Sequence, residues 1–288
     1  MTSKQICICG DGHGAIAAFK SFRAKVDSVF VLTTDEAVVS LMRPSDTLLH
    51  SLSILENYVI VCAGYSKLIT SAVLKKNIII NTHPSLLPEY RGMHSLVWAI
   101  LNEAAEFGFS IHLMNSEIDD GDILAQCRVQ NQGQDSAQLW QIFDSYVRDN
   151  LADVVLRFIS GNLKPIPQDR NKATWVPRRN LEDCELNWSE PNFRLKSLMR
   201  ALVPPYPYPR LRTPKTIYGV TQAKVMDKDY FCTVGRVVGH IESTALIKSA
   251  EGLVSIERLI DLDTGAEVPV LAALPLGLRL PNTGDKFV

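Results

Sequence analysis

Short runs of β-branched and apolar residues alternate with helical patterns through the first half of the chain. The runs are continuously apolar, as is typical of strands that helices cover on both faces. Strands are therefore predicted over residues 6–9, 29–33, 59–63, 78–81, 109–114 and 123–129, and helices over 15–25, 96–106 and 136–159. This order predicts an α/β fold with a Rossmann-like, mostly parallel sheet flanked by helices.

The pattern changes after residue 162. Residues 164–188 show no sustained period, and a short helix is predicted over 193–202, before a proline-rich run. Beyond about residue 217, short β segments separated by glycine turns are typical of a small, OB-like β-barrel: 222–226, 235–240, 244–248 and 253–259. We therefore divide the chain into an α/β domain (1–180), a linker with a helix (181–215) and a small β domain (216–288).

Composition narrows the class of protein. The 288 residues are 46% hydrophobic and carry a net charge of −1. These values exclude a disordered chain, and a protein whose main work is to coat nucleic acid or an anionic membrane. The longest apolar stretch, 58–64, is too short to span a bilayer, and residues 1–4 lead straight into the first strand. We expect a soluble, cytoplasmic protein without membrane contact.

Cysteine usage gives no sign of a metal or of disulfide cross-links. No Cys/His cluster surrounds any of the six cysteines, so zinc is not expected. We expect reduced thiols, buried as small apolar side chains.

A glycine-rich loop, 10–14, lies between the first strand and the first helix. Glycine permits close backbone approach there, and a helix N-terminus attracts anions. Ala15 stands where the last glycine of the dinucleotide motif is expected, and no acidic residue clearly ends the second strand. The loop is compatible both with a tight turn that binds no ligand and with an anion-binding site. A nicotinamide-dependent dehydrogenase is an alternative that a measurement of nicotinamide binding would test.

The segment 81–92 carries the most specific chemistry. Asn81 and His83 are two residues apart at the end of a buried strand, so their side chains point the same way. Residues 117–122 place carboxylates on a turn between two later strands. A histidine oriented by a carboxylate, beside an amide that can donate to an oxyanion, suits acyl transfer. The alternatives are that Asn81 and His83 only cap the strand, and that the acidic turn is solvated or a weak metal site.

These residues also carry a resemblance. Asn-x-His-Pro-Ser-Leu-Leu-Pro-x-Tyr-Arg-Gly at 81–92, followed by Ile-Asp-x-Gly-Asp-Ile-Leu at 118–124, resembles the formyltransferases that use 10-formyltetrahydrofolate. The resemblance implies that Asn81 stabilises the oxyanion, that His83 manages the proton of the attacking amine, and that Asp119 orients His83. It implies no metal, and it makes Asp120 and Asp122 bystanders.

The same resemblance places the folate. In this family the pterin ring enters a loop after the strand that precedes the asparagine, which corresponds to residues 64–69. The implied contacts are Tyr65, Ser66, Leu68, Ile69, Ile118 and Asp119. For Tyr65 and Leu68, ordinary core packing is the alternative.

The acceptor amine is narrowed by the rest of the chain. Segments 173–175, 187–189 and 200–207 resemble methionyl-tRNA and amino-sugar formyltransferases, whereas glycinamide ribonucleotide enzymes lack this part. Residues 170–215 hold ten Lys/Arg and four acids, a net +6, while the remainder carries −7. One basic strip suits a diphosphate better than an RNA stem, and no loop long enough to reach such a stem is visible.

We therefore expect a nucleotide-linked amino sugar, of the kind used in lipopolysaccharide biosynthesis, as the acceptor; tRNA is the alternative. A solvated linker face would also explain the basic strip. Dimers are common among amino-sugar relatives, so a homodimer is a further expectation. The β domain could instead be a nucleic-acid binder, but it lacks the necessary basic and aromatic clustering. Expected acceptor contacts are Gly12, His13, Gly14, Arg91, His94, Trp98, Arg200, Tyr206 and Tyr208.

Overall fold

The computed structural model describes residues 4–228 and 230–282. Its strands are β1 (Ile6–Cys9), β2 (Phe30–Leu32), β3 (Thr47–Leu48), β4 (Val59–Cys62), β5 (Ile78–His83), β6 (Arg91–Gly92), β7 (Glu106–Leu113), β8 (Ile123–Gln130), β9 (Trp175–Val176), β10 (Arg210–Arg212), β11 (Ile217–Met226), β12 (Val237–Ile241), β13 (Thr244–Lys248), β14 (Leu253–Asp261) and β15 (Glu267–Val268). Its α-helices are α1 (Gly12–Arg23), α2 (Glu36–Val39), α3 (Ser71–Lys76), α4 (Ser95–Leu101), α5 (Ser136–Ile159), α6 (Asn192–Ala201) and α7 (Val270–Ala273).

The chain forms two compact units that interleave in sequence. The first comprises Met1–Leu96, Ala105–Gln130 and Leu139–Pro177, and the second comprises Val97–Ala104, Asn131–Gln138 and Arg178–Val288. Helices α4 and α5 therefore each contribute residues to both units.

The first unit is built on one sheet with the strand order β3-β2-β1-β4-β5-β7-β8. The strands from β3 to β5 are parallel, and β7 and β8 each run antiparallel to the strand before them in this order. The predicted α/β class with a mostly parallel sheet is confirmed. Asn81 of β5 lies opposite Cys62 on one side and His112 on the other, so the candidate residues emerge near the middle of the sheet.

The prediction of a helix over 96–106 is wrong at its C-terminal end. Helix α4 stops at Leu101 because Glu103 takes the left-handed conformation (φ 50°). The amides of Glu103 and Ala104 then bond back to the carbonyls of Ile100 and Ala99, which closes the helix, and β7 begins at Glu106. Helix α1, by contrast, begins three residues earlier than predicted, at Gly12.

The second unit contains an antiparallel sheet with the order β10-β11-β14-β13-β12, and β15 pairs with β14. Its fully buried side chains include Ala245 and Ile247 of β13 and Val254 and Ile256 of β14. The predicted small C-terminal β domain is confirmed.

The six cysteines are free, and four of them are buried: Cys7, Cys9, Cys62 and Cys184. No helix within residues 4–228 and 230–282 is both long and apolar enough to cross a membrane.

Candidate active site

Three of the predicted residues meet at the C-terminal end of β5, in the first unit. Asn81 and His83 project from the end of β5, and Asp119 lies on the turn between β7 and β8. His83 Nδ1 lies 3.5 Å from Asp119 Oδ2, and Asn81 Nδ2 lies 3.5 Å from Asp119 Oδ1. The carboxylate therefore faces both of the other side chains.

Asp119 is held in an unusual backbone conformation. Its φ of 51° lies in the left-handed region, which costs a non-glycine residue about 1 kcal/mol or more. The amide of Gly92 donates to Asp119 Oδ2 at 2.9 Å, which fixes the carboxylate. A Cβ on Gly121 would lie 1.9 Å from the Leu113 carbonyl oxygen, so the turn lies directly against β7.

Burial and hydrogen bonding set the charges at the site. Burial would raise the pKa of Asp119, but the hydrogen bond with His112, the charge of His83 and the Gly92 amide outweigh it and lower the pKa to about 2. Burial lowers the pKa of His83 below its usual 6.5, even though Asp119 opposes this shift. At neutral pH the site therefore holds a carboxylate beside a neutral imidazole.

The position of the proton on neutral His83 follows from its two contacts. Nε2 lies 3.0 Å from the carbonyl oxygen of Tyr90, which can only accept a hydrogen bond. Nε2 therefore carries the hydrogen, and the lone pair of Nδ1 is turned toward Asp119. A proton taken up at Nδ1 would be stabilised by the carboxylate 3.5 Å away.

A fourth polar residue, His112, was not predicted from the sequence. It is fully buried on β7, where its Nε2 lies 3.3 Å from Asn81 Nδ2 and 3.5 Å from Asp119 Oδ1. Its Nδ1 lies 2.7 Å from the carbonyl oxygen of Leu113. The one available signal was a buried polar residue inside the apolar run 107–113.

Arg91 and Asp120 are paired inside the first unit. Asp120 is buried and accepts from Arg91 Nη1 and Arg170 Nη2, each at 2.7 Å, and its absence from the chemistry stays a prediction. Arg91 is 3% exposed, and its Nε and Nη2 donate to Gln168. Its guanidinium is thus engaged inside the first unit, and its contact with an acceptor stays a prediction.

The predicted folate loop presents apolar surface. Leu68 is 92% exposed, and Ser66 is also exposed, whereas Tyr65 and Ile69 are partly buried against the core cluster of β1 and β4. Ile118, next to Asp119, is 64% exposed. Exposed leucine and isoleucine side chains suit contact with a flat aromatic ligand such as a pterin.

A cleft of about 620 Å³ adjoins the Asp119 turn. It is lined by Arg91, Asn115, Ser116, Glu117, Ile118, Asp120, Arg170 and Trp175. The exposed faces of Ile118 and Trp175 give this cleft an apolar component beside its charged groups.

Side chains of the first unit already bind to Gly12 and His13 of the glycine-rich loop. The amide of Gly12 donates to Asp35 at 2.8 Å, so a carboxylate already occupies this helix N-terminus. His13 Nδ1 lies 2.9 Å from Asp144, with its ring edge-on to Trp140, and Gly14 is buried in α1. An acceptor phosphate at this loop stays a prediction, and it would have to displace Asp35 from Gly12.

The other residues that are predicted to contact the acceptor do not all lie in the same unit. His94 lies in the first unit with a φ of 60°. Trp98, Arg200, Tyr206 and Tyr208 belong to the second unit, where they are partly buried. Arg200 Nη2 donates to Glu103 at 2.7 Å, and the Tyr206 ring lies under the guanidinium of Arg179. No group of His, Cys, Asp and Glu within the described ranges is arranged to hold a metal ion.

The sequence matches known proteins along most of its length. Residues 16–141 match the sequence model of the family described as "Formyl transferase", and residues 179–270 match that of "Formyl transferase, C-terminal domain". The methionyl-tRNA formyltransferase of Streptococcus thermophilus is 28% identical over 206 residues, covering 69% of this chain and 64% of that protein. That of Chloroflexus aurantiacus is 35% identical over 163 residues, covering 55% of this chain and 52% of that protein. The chain thus spans between half and two thirds of the length of these curated relatives.

Solved structures share the fold. An N-formyltransferase from Helicobacter canadensis, crystallised with folinic acid and dTDP-3-aminofucose, aligns with a TM-score of 0.68 at 17% identity. The alignment covers 88% of this chain and 98% of that one. At this level of identity the likeness establishes the fold.

Proposed function

The chain belongs to the formyl transferase family, and on that premise we propose that it transfers a formyl group from 10-formyltetrahydrofolate to the amine of a nucleotide-linked amino-deoxy sugar. The observation that carries the reaction type is the meeting of Asn81, His83 and Asp119 at the C-terminal end of β5. An amide donor, a neutral imidazole and a carboxylate are the groups that acyl transfer to an amine requires.

The acceptor amine attacks the formyl carbon, and negative charge develops on the formyl oxygen. Asn81 donates a hydrogen bond to this oxyanion through Nδ2, whose contact with Asp119 is long, at 3.5 Å. A stronger acceptor such as an oxyanion replaces that contact at small cost.

His83 takes the proton that the amine loses as the new carbon–nitrogen bond forms. The proton enters at Nδ1, and Asp119 stabilises the imidazolium. His83 then returns the proton to N10 of the folate as the bond between the formyl carbon and N10 breaks. The products are the formamide and tetrahydrofolate.

Charge pairing supports the sugar nucleotide over RNA as acceptor. RNA binding relies on several cations free to contact successive phosphates. Five of the ten cations in residues 170–215 instead form ion pairs with carboxylates of their own unit: Arg170, Lys172, Lys196, Arg200 and Arg212. The H. canadensis protein, which shares the fold, was crystallised with a nucleotide sugar.

Methionyl-tRNA is the second candidate acceptor. The specific observation in its favour is that the curated relatives at 28–35% identity named above are methionyl-tRNA formyltransferases.

One acceptor panel with 10-formyltetrahydrofolate tests both proposals. The panel contains dTDP-, GDP- and UDP-linked amino sugars and charged initiator methionyl-tRNA, and release of tetrahydrofolate is measured together with the formylated product. Formylation of a sugar nucleotide but not of the tRNA supports the first proposal. Formylation of the tRNA alone establishes the second, and no transfer to any amine overturns both.

A further inference from the structure

Gln168, on the segment between α5 and β9, uses every polar atom of its side chain inside the first unit. Its Nε2 donates to the carbonyl oxygens of Asp119 and Gly121, at 2.7 Å each. Its Oε1 accepts from Arg91 Nη2 at 2.7 Å and from Arg91 Nε at 3.2 Å. An amide has two hydrogens and two lone pairs, so these four bonds fix one orientation of the side chain.

The turn that Gln168 contacts requires support from outside. Asp119 adopts the left-handed conformation, and Gly121 lies too close to β7 to carry a Cβ. The two carbonyls bonded by Gln168 lie on either side of Asp120, so one amide group ties the turn together. Without this donor, the two carbonyls would lose this hydrogen-bond partner, and the left-handed Asp119 would lose a restraint on its backbone.

Arg91 connects the turn to the main chain at Gly92, whose amide donates to the Asp119 carboxylate. The amide of the next residue, Gly92, donates to the Asp119 carboxylate, while Arg91 Nη1 bonds to Asp120. Arg170 holds the second oxygen of Asp120, and the Trp175 ring covers the Arg91 guanidinium. The carbonyls of the turn are thus held by Gln168, and its carboxylates are held by Arg91, Arg170 and the amide of Gly92.

We propose that Gln168 is a positioning residue for formyl transfer, which holds the Asp119 carboxylate against His83 by bonding the carbonyls of Asp119 and Gly121. Arg91 acts through Gln168 and Asp120 by fixing the orientation of the amide. The role in catalysis rests on the proposed function, whereas the geometry does not depend on the identity of the acceptor.

Two substitutions separate the donor half of Gln168 from its acceptor half. Gln168→Met keeps the length of the side chain and removes both halves, whereas Gln168→Glu keeps an acceptor for Arg91 and removes the donor. We expect both variants to lower kcat roughly 10- to 100-fold, as loss of an outer partner of a reactive group does. KM for each substrate should change by less than about threefold.

Gln141 provides the matched control, because it is exposed on α5. Gln141→Met and Gln141→Glu should leave kcat unchanged. Wild-type kcat in Gln168→Met would overturn the proposal, and recovery of kcat in Gln168→Glu would assign the effect to Arg91 rather than to the turn. Thermal unfolding of each variant shows whether the protein assayed is folded.

A double-mutant cycle separates positioning from general support of the fold. If Gln168 acts through Asp119, then Gln168→Met should lower kcat by less than about twofold in an Asp119→Asn background. Full additivity of the two losses would overturn the proposal.

NMR titration of the His83 ring tests the geometry without activity. The groups that face this ring are the Asp119 carboxylate, the His112 ring and the Tyr90 carbonyl. The titration midpoint of His83 should move to lower pH in Asp119→Asn, and in the same direction in Gln168→Met. If the wild type formylates no amine, the proposed function fails while this titration still decides the geometry; an unchanged midpoint in Gln168→Met overturns the inference.

Discussion

Asn81 and His112 face each other across the antiparallel pair β5 and β7, with Nδ2 of the amide 3.3 Å from Nε2 of the ring. The carbonyl of Leu113 can only accept a hydrogen bond, so Nδ1 of His112 carries a hydrogen, and in the neutral form of the ring the lone pair lies at Nε2. In that form Asn81 donates to His112, which makes Nδ2 the donor end of the Asn81 amide. The second hydrogen of Nδ2 remains for the developing oxyanion.

Loss of this acceptor should weaken catalysis by Asn81. His112→Leu lets the amide rotate, and we expect kcat to fall about tenfold or more. His112→Gln retains an acceptor and should lose less. Steady-state kinetics of the two variants, with exposed His50→Leu as the control, measure the difference. Equal losses in His112→Leu and His112→Gln would contradict this role.

Substitution of Asn81 or His83 should lower kcat more than substitution of His112 does. Asn81→Ala removes the oxyanion donor and should lower kcat roughly 100- to 1,000-fold. His83→Asn removes the proton carrier and should lower kcat roughly 100- to 10,000-fold. Single-turnover assays with circular dichroism on the same samples distinguish loss of chemistry from loss of fold. Wild-type turnover in either variant removes that residue from the mechanism.

Asp119 should make stability depend on pH in the acid range. Its pKa falls from 3.8 to about 2 on folding, so its contribution is complete above pH 3.8 and is lost as the pH falls toward 2. The free energy of unfolding should therefore fall by about 2 kcal/mol more in the wild type than in Asp119→Asn across this window. Urea unfolding at pH 5, 4, 3 and 2 measures it. Parallel curves for the two proteins would show that the carboxylate gains nothing from folding.

His83 should add a second pH dependence at higher pH. Burial lowers its pKa below 6.5 in the folded protein, so protonation favours the unfolded chain. The free energy of unfolding should be highest above pH 6.5 and decrease as the pH falls below it. His83→Asn should flatten this part of the curve, which urea unfolding from pH 8 to 5 measures.

Gly121 should not tolerate a methyl group. The Cβ of Gly121→Ala would lie 1.9 Å from the Leu113 carbonyl oxygen, so the Asp119 turn must move away from β7. We expect a loss of stability of about 2 kcal/mol or more, together with loss of formyl transfer. At Gly239 a Cβ would meet only Leu246, at 3.7 Å, so Gly239→Ala serves as the tolerated control. Equal stability of the two variants contradicts the expectation.

Leu68 tests the predicted folate contact. It is 92% exposed, so Leu68→Asp should leave the unfolding free energy unchanged. If the side chain packs on the pterin, KM for 10-formyltetrahydrofolate should rise about tenfold, because roughly 1.5 kcal/mol of apolar contact is lost. Leu276→Asp, at an exposed position in the second unit, is the control.

The sequence predicts the candidate site as far as the motif extends. Asn81 and His83 share a strand, and the resemblance of residues 118–124 to the formyltransferase motif singles out Asp119, so the structure brings together residues that the sequence already marked. His112 has no such pattern around it, because its place beside Asn81 depends on the register between β5 and β7. Gln168 lies 49 residues from Asp119, and only the tertiary fold joins them.

The partners of Arg91 and the point at which α4 ends could not be predicted from the sequence. Arg91 follows a motif loop and suggests a ligand contact, but its partners Asp120 and Gln168 come from two distant segments. The helix ending at Leu101 depends on a left-handed glutamate, which no propensity scale favours. Its carboxylate then accepts from Ser197 and Arg200, more than 90 residues later.

The interleaving of the two units limits how the protein can be shortened. A truncation after residue 177 would remove Arg200 and Arg194 but keep Glu103 and the carbonyl of Leu101, with which they pair. The truncated piece would also retain residues 131–138 without the part of the second unit to which they belong. A single break after residue 177 therefore does not separate the two units, because it leaves two segments of the second unit attached to the first.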